Sequence, residues 1–182
     1  MIVHKPIETE RLILREVMLS DLDGMFELDS NSEVHKYLGN KPISNREQAI
    51  INIEFLQKQY NERGIARWAV IHKETNEFMG WSGIKYLIES EKINGFFNIH
   101  ELGYRLLPKF WGKGFATESA KAFVDYAFDK MHITSLYATA DSCNKDSIRV
   151  LEKSGFKTTS NFVFNFNEFK VNCSWLEQHL KG

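Results

Sequence analysis

The stretch Glu101-Leu-Gly-Tyr-Arg-Leu-Leu-Pro-Lys-Phe-Trp-Gly-Lys-Gly-Phe-Ala-Thr-Glu118 gathers the residue types best suited to bind a charged group. Gly112 and Gly114 permit a sharp turn and a close backbone approach, and they leave the first free N–H groups of the following helix pointing outward. A helix N-terminus carries partial positive charge, and Lys109 and Lys113 add mobile positive charge beside it. The expected guest is a phosphate or pyrophosphate, with a plain glycine turn that joins strand to helix as the alternative. Two other phosphate loops fit less well. A Walker A loop needs G-x-x-x-x-G-K-[ST], but here Gly-Lys is followed by Gly114, with no upstream glycine at the required spacing. A dinucleotide fingerprint needs G-x-G-x-x-G after an apolar parallel strand. Here Gly112-x-Gly114 is followed by Thr117, and the preceding segment carries Glu101, Arg105, Pro108 and Lys109.

The elements that must position this loop follow from periodicity. Glu10 to Glu16 alternates as a strand, and Ser20 with Asp23 suggests a capping box that opens a short helix. Ser44 with Glu47 suggests a second box, followed by Ala49, Ile53, Leu56 and Tyr60 along one face of a long helix that stops at Gly64. Arg67 to His72 and Phe78 to Leu87 read as a hairpin, and Phe96 to Leu107 as a third strand after the Asn94-Gly95 turn. Phe115 to Met131 reads as a helix, Thr134 to Ala140 as a strand, and Lys145 to Ser154 as a helix capped by Gly155. Phe162 to Phe166 and Phe169 to Trp175 close the chain as aromatic strands. Consecutive strands mixed with β-α-β crossovers predict an α+β (mixed α/β) protein built on one mixed sheet with helices on its faces.

Composition narrows the classes. The chain has 182 residues, 23 Lys+Arg against 24 Asp+Glu and a net charge of -1, so no global positive field attracts a polyanion and nucleic acid is not an expected partner. No Gly/Ser/Pro-rich linker or repeat divides the chain, which predicts one domain over residues 1–182. Two cysteines, Cys143 and Cys173, cannot form a disulfide framework, and six scattered histidines lack H-x-x-x-H spacing, so no metal is expected. Without an apolar leader or a run of about 18 apolar residues, the expected location is the cytoplasm, with no membrane partner.

Beyond these readings the sequence resembles the GNAT superfamily of acyl-CoA-dependent N-acetyltransferases. Lys109-Phe-Trp-Gly112-Lys-Gly114 is similar to its [QR]-x-x-G-x-[GA] loop, with Lys109 in place of the usual Gln or Arg. Thr9-Glu-Arg-Leu-Ile-Leu-Arg15 is similar to the opening of the branch that contains the ribosomal-protein N-terminal acetyltransferases. Asn144-x-x-Ser147 and Ser154-Gly-Phe156 follow in the family's order.

The resemblance implies a mostly antiparallel sheet whose fourth strand splays from the fifth, with acetyl-CoA as co-substrate in the cleft. Leu106 and Leu107 would bond the pantetheine arm. The amides of Lys109, Phe110, Trp111, Gly112, Lys113, Gly114, Phe115 and Ala116 would hold the pyrophosphate, and Asn144 would reach the pantetheine. Direct attack of an amine on the thioester needs a base for the ammonium proton and an acid for the thiolate. Glu101 is the candidate base, acting through water, with an ion pair to Arg105 on the same strand face as its structural alternative. Ser147 is the candidate acid, with an ordinary first-turn serine as the alternative. Tyr104 and Tyr137 are left unassigned. The acceptor is a primary amine, either a protein N-terminus (a ribosomal protein in that branch) or a small molecule. Other readings are a non-catalytic acyl-CoA-binding regulatory module or a dinucleotide binder. The run Phe162, Phe164, Phe166 and Phe169 suits core or interface, including a homodimer, more than an acceptor pocket.

Overall fold

The computed structural model describes residues 4–166 and 169–180, with the side chains of Phe166 and Phe169 outside that description. Its strands are β1 (Ile7–Glu8), β2 (Leu12–Glu16), β3 (Arg67–His72), β4 (Phe78–Leu87), β5 (Ile99–Leu106), β6 (Ser135–Asp141), β7 (Lys157–Phe166) and β8 (Phe169–His179). They form one eight-stranded sheet in the order β1-β2-β3-β4-β5-β6-β8-β7. Every pairing is antiparallel except β5 with β6. The mixed, mostly antiparallel sheet expected from the sequence is therefore present.

The helices are α1 (Leu22–Ser30), α2 (Ser32–His35), α3 (Arg46–Arg63), α4 (Phe115–Asp129) and α5 (Lys145–Lys153). They cover both faces of the sheet. Trp68 of β3 meets Phe123 of α4 edge-on at 5.6 Å, both fully buried. Trp81 belongs to the opposite face, because Ser82 is the register partner of Trp68. On that side Arg105 of β5 pairs with Asp29 of α1 at 2.6 Å. Phe78 lies against Gly24 of α1, where a Cβ would meet its ring at 2.4 Å, so α1 approaches β4 closely because Gly24 lacks a side chain.

Several boundaries differ from the expectation for local reasons. The Ser20 capping box is absent. A 3-10 turn over Leu19–Asp21 precedes α1 instead, and the Asp21 carboxylate accepts from the Met18 amide at 2.8 Å while Arg15 grips both its oxygens at 2.7 Å. The cap of α3 is Asn45, not Ser44: its side chain accepts from the Gln48 amide at 3.0 Å, and Ser44 donates its own amide to the Gln48 side chain. Gly64 does end α3, at φ 69°. Strand β5 begins at Ile99, because Asn94, Gly95 and Asn98 all take positive φ and spend Phe96 and Phe97 in the connection. The short helix α2 carries no periodic signal; the Asn31 side chain nucleates it by accepting from the Glu33 and Val34 amides.

At the far end of the sheet, Phe162 of β7 packs against Trp175 of β8 and Phe164, with ring centroids 6.1 and 6.4 Å away. Phe96 stacks on Trp175 at 5.2 Å. These aromatics thus bind the β4–β5 connection to the late strands. No helix among the described residues is long and apolar enough to cross a membrane.

Candidate active site

Strands β5 and β6 pair only at Glu101 with Tyr137 and Leu102 with Ala138. Beyond Leu102 they part, so among the described residues no strand lies beside this edge of β5 from Gly103 to Leu106, and a cleft opens toward the glycine loop. This is the splay that the resemblance implied.

The loop is built in two steps. A 3-10 turn over Pro108–Phe110 consumes the first amides: Phe110 donates to the Leu107 carbonyl and Trp111 to the Pro108 carbonyl, each at 3.0 Å. Gly112 and Gly114 then take φ of 71° and 83°, and α4 starts at Phe115. A Cβ on Gly112 would touch nothing within 4 Å, so glycine is required there by backbone conformation and not by space. From Gly112 to Thr117 no amide has an acceptor among the described residues; the first helical bond is from Glu118 to Gly114 at 3.0 Å. The amide set available to an anion is therefore Gly112 to Thr117. Phe110 and Trp111, expected in that set, are already bonded.

The lysines also differ from expectation. Lys109 is turned to Glu77 at 2.7 Å and Glu27 at 3.6 Å, and the hydrogen bond to Glu77 raises its pKa against a small opposing effect of burial. Lys113 folds back to donate to the Lys109 carbonyl at 2.7 Å. Neither ammonium is turned outward to meet an anion. Lys121 of α4 and Lys153 of α5 instead line a groove of about 400 Å³ with Gly114, Thr117 and the carboxylates of Glu10 and Glu118, and sequence spacing gave no sign of this pairing across two helices.

The strand edge is similarly selective. Leu107 donates its amide to the Met79 carbonyl at 2.9 Å and accepts from Phe110, so both of its backbone groups are already bonded. The Leu106 carbonyl accepts the Trp111 indole N–H at 2.7 Å. That bond gives the half-exposed Trp111 a defined seat beside the cleft.

Ser147 lies in the first turn of α5, whose N-cap is Asn144; the Asn144 side-chain oxygen accepts from the Ser147 amide at 3.1 Å. Asn144 thus fixes the helix start that carries Ser147, and its amide NH₂ has no partner among the described residues. Ser147 meets Tyr104 of β5: the phenol donates to the Ser147 carbonyl at 2.8 Å and stands 2.9 Å from Ser147 Oγ. Burial raises the Tyr104 pKa, and the bond to Ser147 offsets this only in part, so the phenol stays protonated. Tyr104 is the residue that sequence reasoning left out. Its period-two position is readable, but the point where β5 leaves β6 is not.

Glu101 is buried on the face opposite Tyr104. Its carboxylate pairs with Arg67 of β3, not with Arg105, and Arg67 also donates to the Glu101 carbonyl at 2.7 Å. Gly103 makes this reach possible, since a Cβ there would lie 2.8 Å from the Arg67 guanidinium. Arg67 and Arg105 both lie over the Trp81 ring, at 5.5 and 5.0 Å from its centroid. Tyr137 leans on Trp175 at 5.4 Å as part of the aromatic packing. Cys143 is exposed, and burial with Asp141 nearby pushes the Cys173 thiol up to about 11. Among the described residues no three His, Cys, Asp or Glu side chains cluster as a metal site.

Known proteins resemble this chain in sequence and in fold. The uncharacterized N-acetyltransferase YoaA of Bacillus subtilis is 32% identical over 151 residues, 83% of this chain and 82% of its own. The spermidine N(1)-acetyltransferase of Escherichia coli is 26% identical over 84% of this chain and 76% of its own. A solved structure of RimL, a ribosomal L7/L12 alpha-N-protein acetyltransferase in complex with coenzyme A, superposes with a TM-score of 0.81 at 16% identity, covering 97% of this chain and 98% of that one. The model of the acetyltransferase (GNAT) domain matches residues 11–157, the span from Arg11 through the loop, the cleft and α5. The chain belongs to the GNAT family and is an acetyl-CoA-dependent N-acetyltransferase.

Proposed function

We propose that the cleft between β5 and β6 holds acetyl-CoA with its pyrophosphate on the amides of Gly112 to Thr117, and that the acetyl group passes directly to a primary amine. The observation that carries this reading is the coincidence of two features: the strands separate after Leu102 and Ala138, and the separation runs into six successive amides without acceptors among the described residues. Lys121 and Lys153 flank the phosphate end. The pantetheine arm runs along the edge of β5 at Tyr104 and Leu106, where the Leu106 carbonyl is already held by the Trp111 indole, with the Asn144 NH₂ as a further donor.

In the transfer, the amine nitrogen attacks the thioester carbonyl carbon, the C–S bond breaks, and the electron pair leaves on sulfur. Glu101 takes the ammonium proton through water. Ser147 supplies a hydrogen bond to the departing thiolate. With the Tyr104 proton on the Ser147 carbonyl, the Ser147 hydroxyl proton is the one free to turn toward sulfur.

For the acceptor, the relatives named for spermidine and for a ribosomal-protein N-terminus support a primary amine of either kind. CoA-thiol release from acetyl-CoA, followed with peptide N-termini, polyamines and aminoglycosides in parallel, assigns the class. Acceleration by one class supports the proposal, and no acceleration by any of them overturns it.

A further inference from the structure

Arg11 stands 107 residues before Glu118, yet the two share a network at the back of the phosphate loop. The Glu118 carboxylate accepts from Thr9 Oγ1 at 2.6 Å, the Arg11 amide at 2.9 Å, Arg11 Nε at 2.7 Å and Arg11 Nη2 at 2.6 Å. The remaining edge of the guanidinium, Nη1, donates to the Lys113 carbonyl at 3.1 Å. The same guanidinium lies 4.3 Å from the centroid of the Phe115 ring. Arg11 is thus held on two sides while it grips one loop carbonyl.

We propose that Arg11, locked by Glu118, is a positioning residue that aims the loop amides at the donor's pyrophosphate. The inference rests on the reading that Gly112 to Thr117 take that group. In a trans peptide the C=O and the following N–H point in opposite directions. The Lys113 carbonyl faces Arg11, so the Gly114 N–H faces the other side of the loop, where it meets no acceptor among the described residues. Nothing within the loop fixes that choice, because glycine accepts either sign of φ and the peptide between Lys113 and Gly114 can turn over at small cost. The bond from Arg11 selects one of the two orientations. Thr9 and Arg11 come from the Thr9-to-Arg15 motif, and Glu118 ends the loop motif, so the network joins two sequence signals that otherwise have no common purpose.

The test compares kcat/KM for acetyl-CoA with that for S-acetylpantetheine, which carries the same thioester arm without the pyrophosphate. Wild type favours acetyl-CoA. In Arg11→Met the ratio of the two values falls by about tenfold, as expected for one lost hydrogen bond to a charged group. Arg11→Lys keeps the charge but cannot span Glu118 and the Lys113 carbonyl together, so its ratio falls as well; it carries the comparison if Arg11→Met does not fold. A ratio unchanged in the folded variants, with only a lowered melting temperature, overturns the inference and leaves Arg11 a purely structural residue. A wild type with no preference for acetyl-CoA overturns the pyrophosphate reading itself, before any role for Arg11 arises.

Discussion

Ser147 and Tyr104 make a pair whose two hydroxyls have separable duties. Ser147→Ala removes the proton that we propose is offered to the thiolate, and kcat should fall by about 10²-fold while KM for acetyl-CoA stays within about twofold. Tyr104→Phe leaves Ser147 in place but frees its carbonyl and its rotor, so a smaller fall in kcat, about tenfold, is expected in the same steady-state assay. Lys109 supplies a contrast. Its ammonium is held by Glu77 and Glu27, so Lys109→Ala should change the KM for acetyl-CoA less than Lys121→Ala or Lys153→Ala, which remove the cations beside Gly114 and Thr117. The sequence alone favours the opposite ranking, since Lys109 and Lys113 adjoin the glycines and Lys121 and Lys153 come from two helices. Residue spacing reveals which groups are near along the chain; it does not reveal that a nearby lysine has a better partner in Glu77.

The loop-to-helix junction, as proposed, should affect binding more than bond making. Gly114→Ala places a side chain at φ 83° with Arg11 Nη2 3.4 Å from the new Cβ, a strain of about 1–2 kcal/mol in the backbone alone. Calorimetric titration should show CoA bound about tenfold more weakly. Glu118 adds a pH signature to the same junction. Burial works to raise its pKa, but the hydrogen bonds from Thr9 and Arg11 outweigh burial and hold it below the usual carboxylate range. A carboxyl with a depressed folded pKa stabilises the protein above its unfolded value, about 4.3, and loses that contribution as pH falls through the folded value. The urea-unfolding difference between wild type and Glu118→Gln should therefore be largest near neutrality and shrink below about pH 4. Strands β3 and β4, the long amphipathic helices and the glycine loop were legible because each has a period or a turn residue of its own. Helix α2, the start of β5 and the Asn45 cap were not, because side-chain capping by Asn31, the positive φ of Asn98 and a one-residue choice between Ser44 and Asn45 are settled by local hydrogen bonds that periodicity does not see.

On the scale of the whole molecule, the net charge of -1 is compatible with the proposed anion site because that site is made of backbone amides and two lysines, which share their groove with Glu10 and Glu118, and not of a basic surface. The sheet must stay rigid for the splay to keep its width, and Trp68 against Phe123 ties β3 to α4 beneath it. Phe123→Ala should cost about 3–5 kcal/mol in urea unfolding, with saturating CoA restoring part of it through preferential binding to the folded state. Glu101 is the group on which the chemical reading and the structural one meet, since Arg67 holds the carboxylate proposed to take the ammonium proton. That acetyl transfer takes place in the cleft beside β5 is tested most directly by kcat for CoA-thiol release in Glu101→Gln, with the acceptor that wild type prefers, at a temperature where both proteins are folded. A fall of about 10²-fold or more at little-changed KM for acetyl-CoA is the predicted result. A kcat within about twofold of wild type would contradict it and leave the Arg67–Glu101 pair as a brace between β3 and β5.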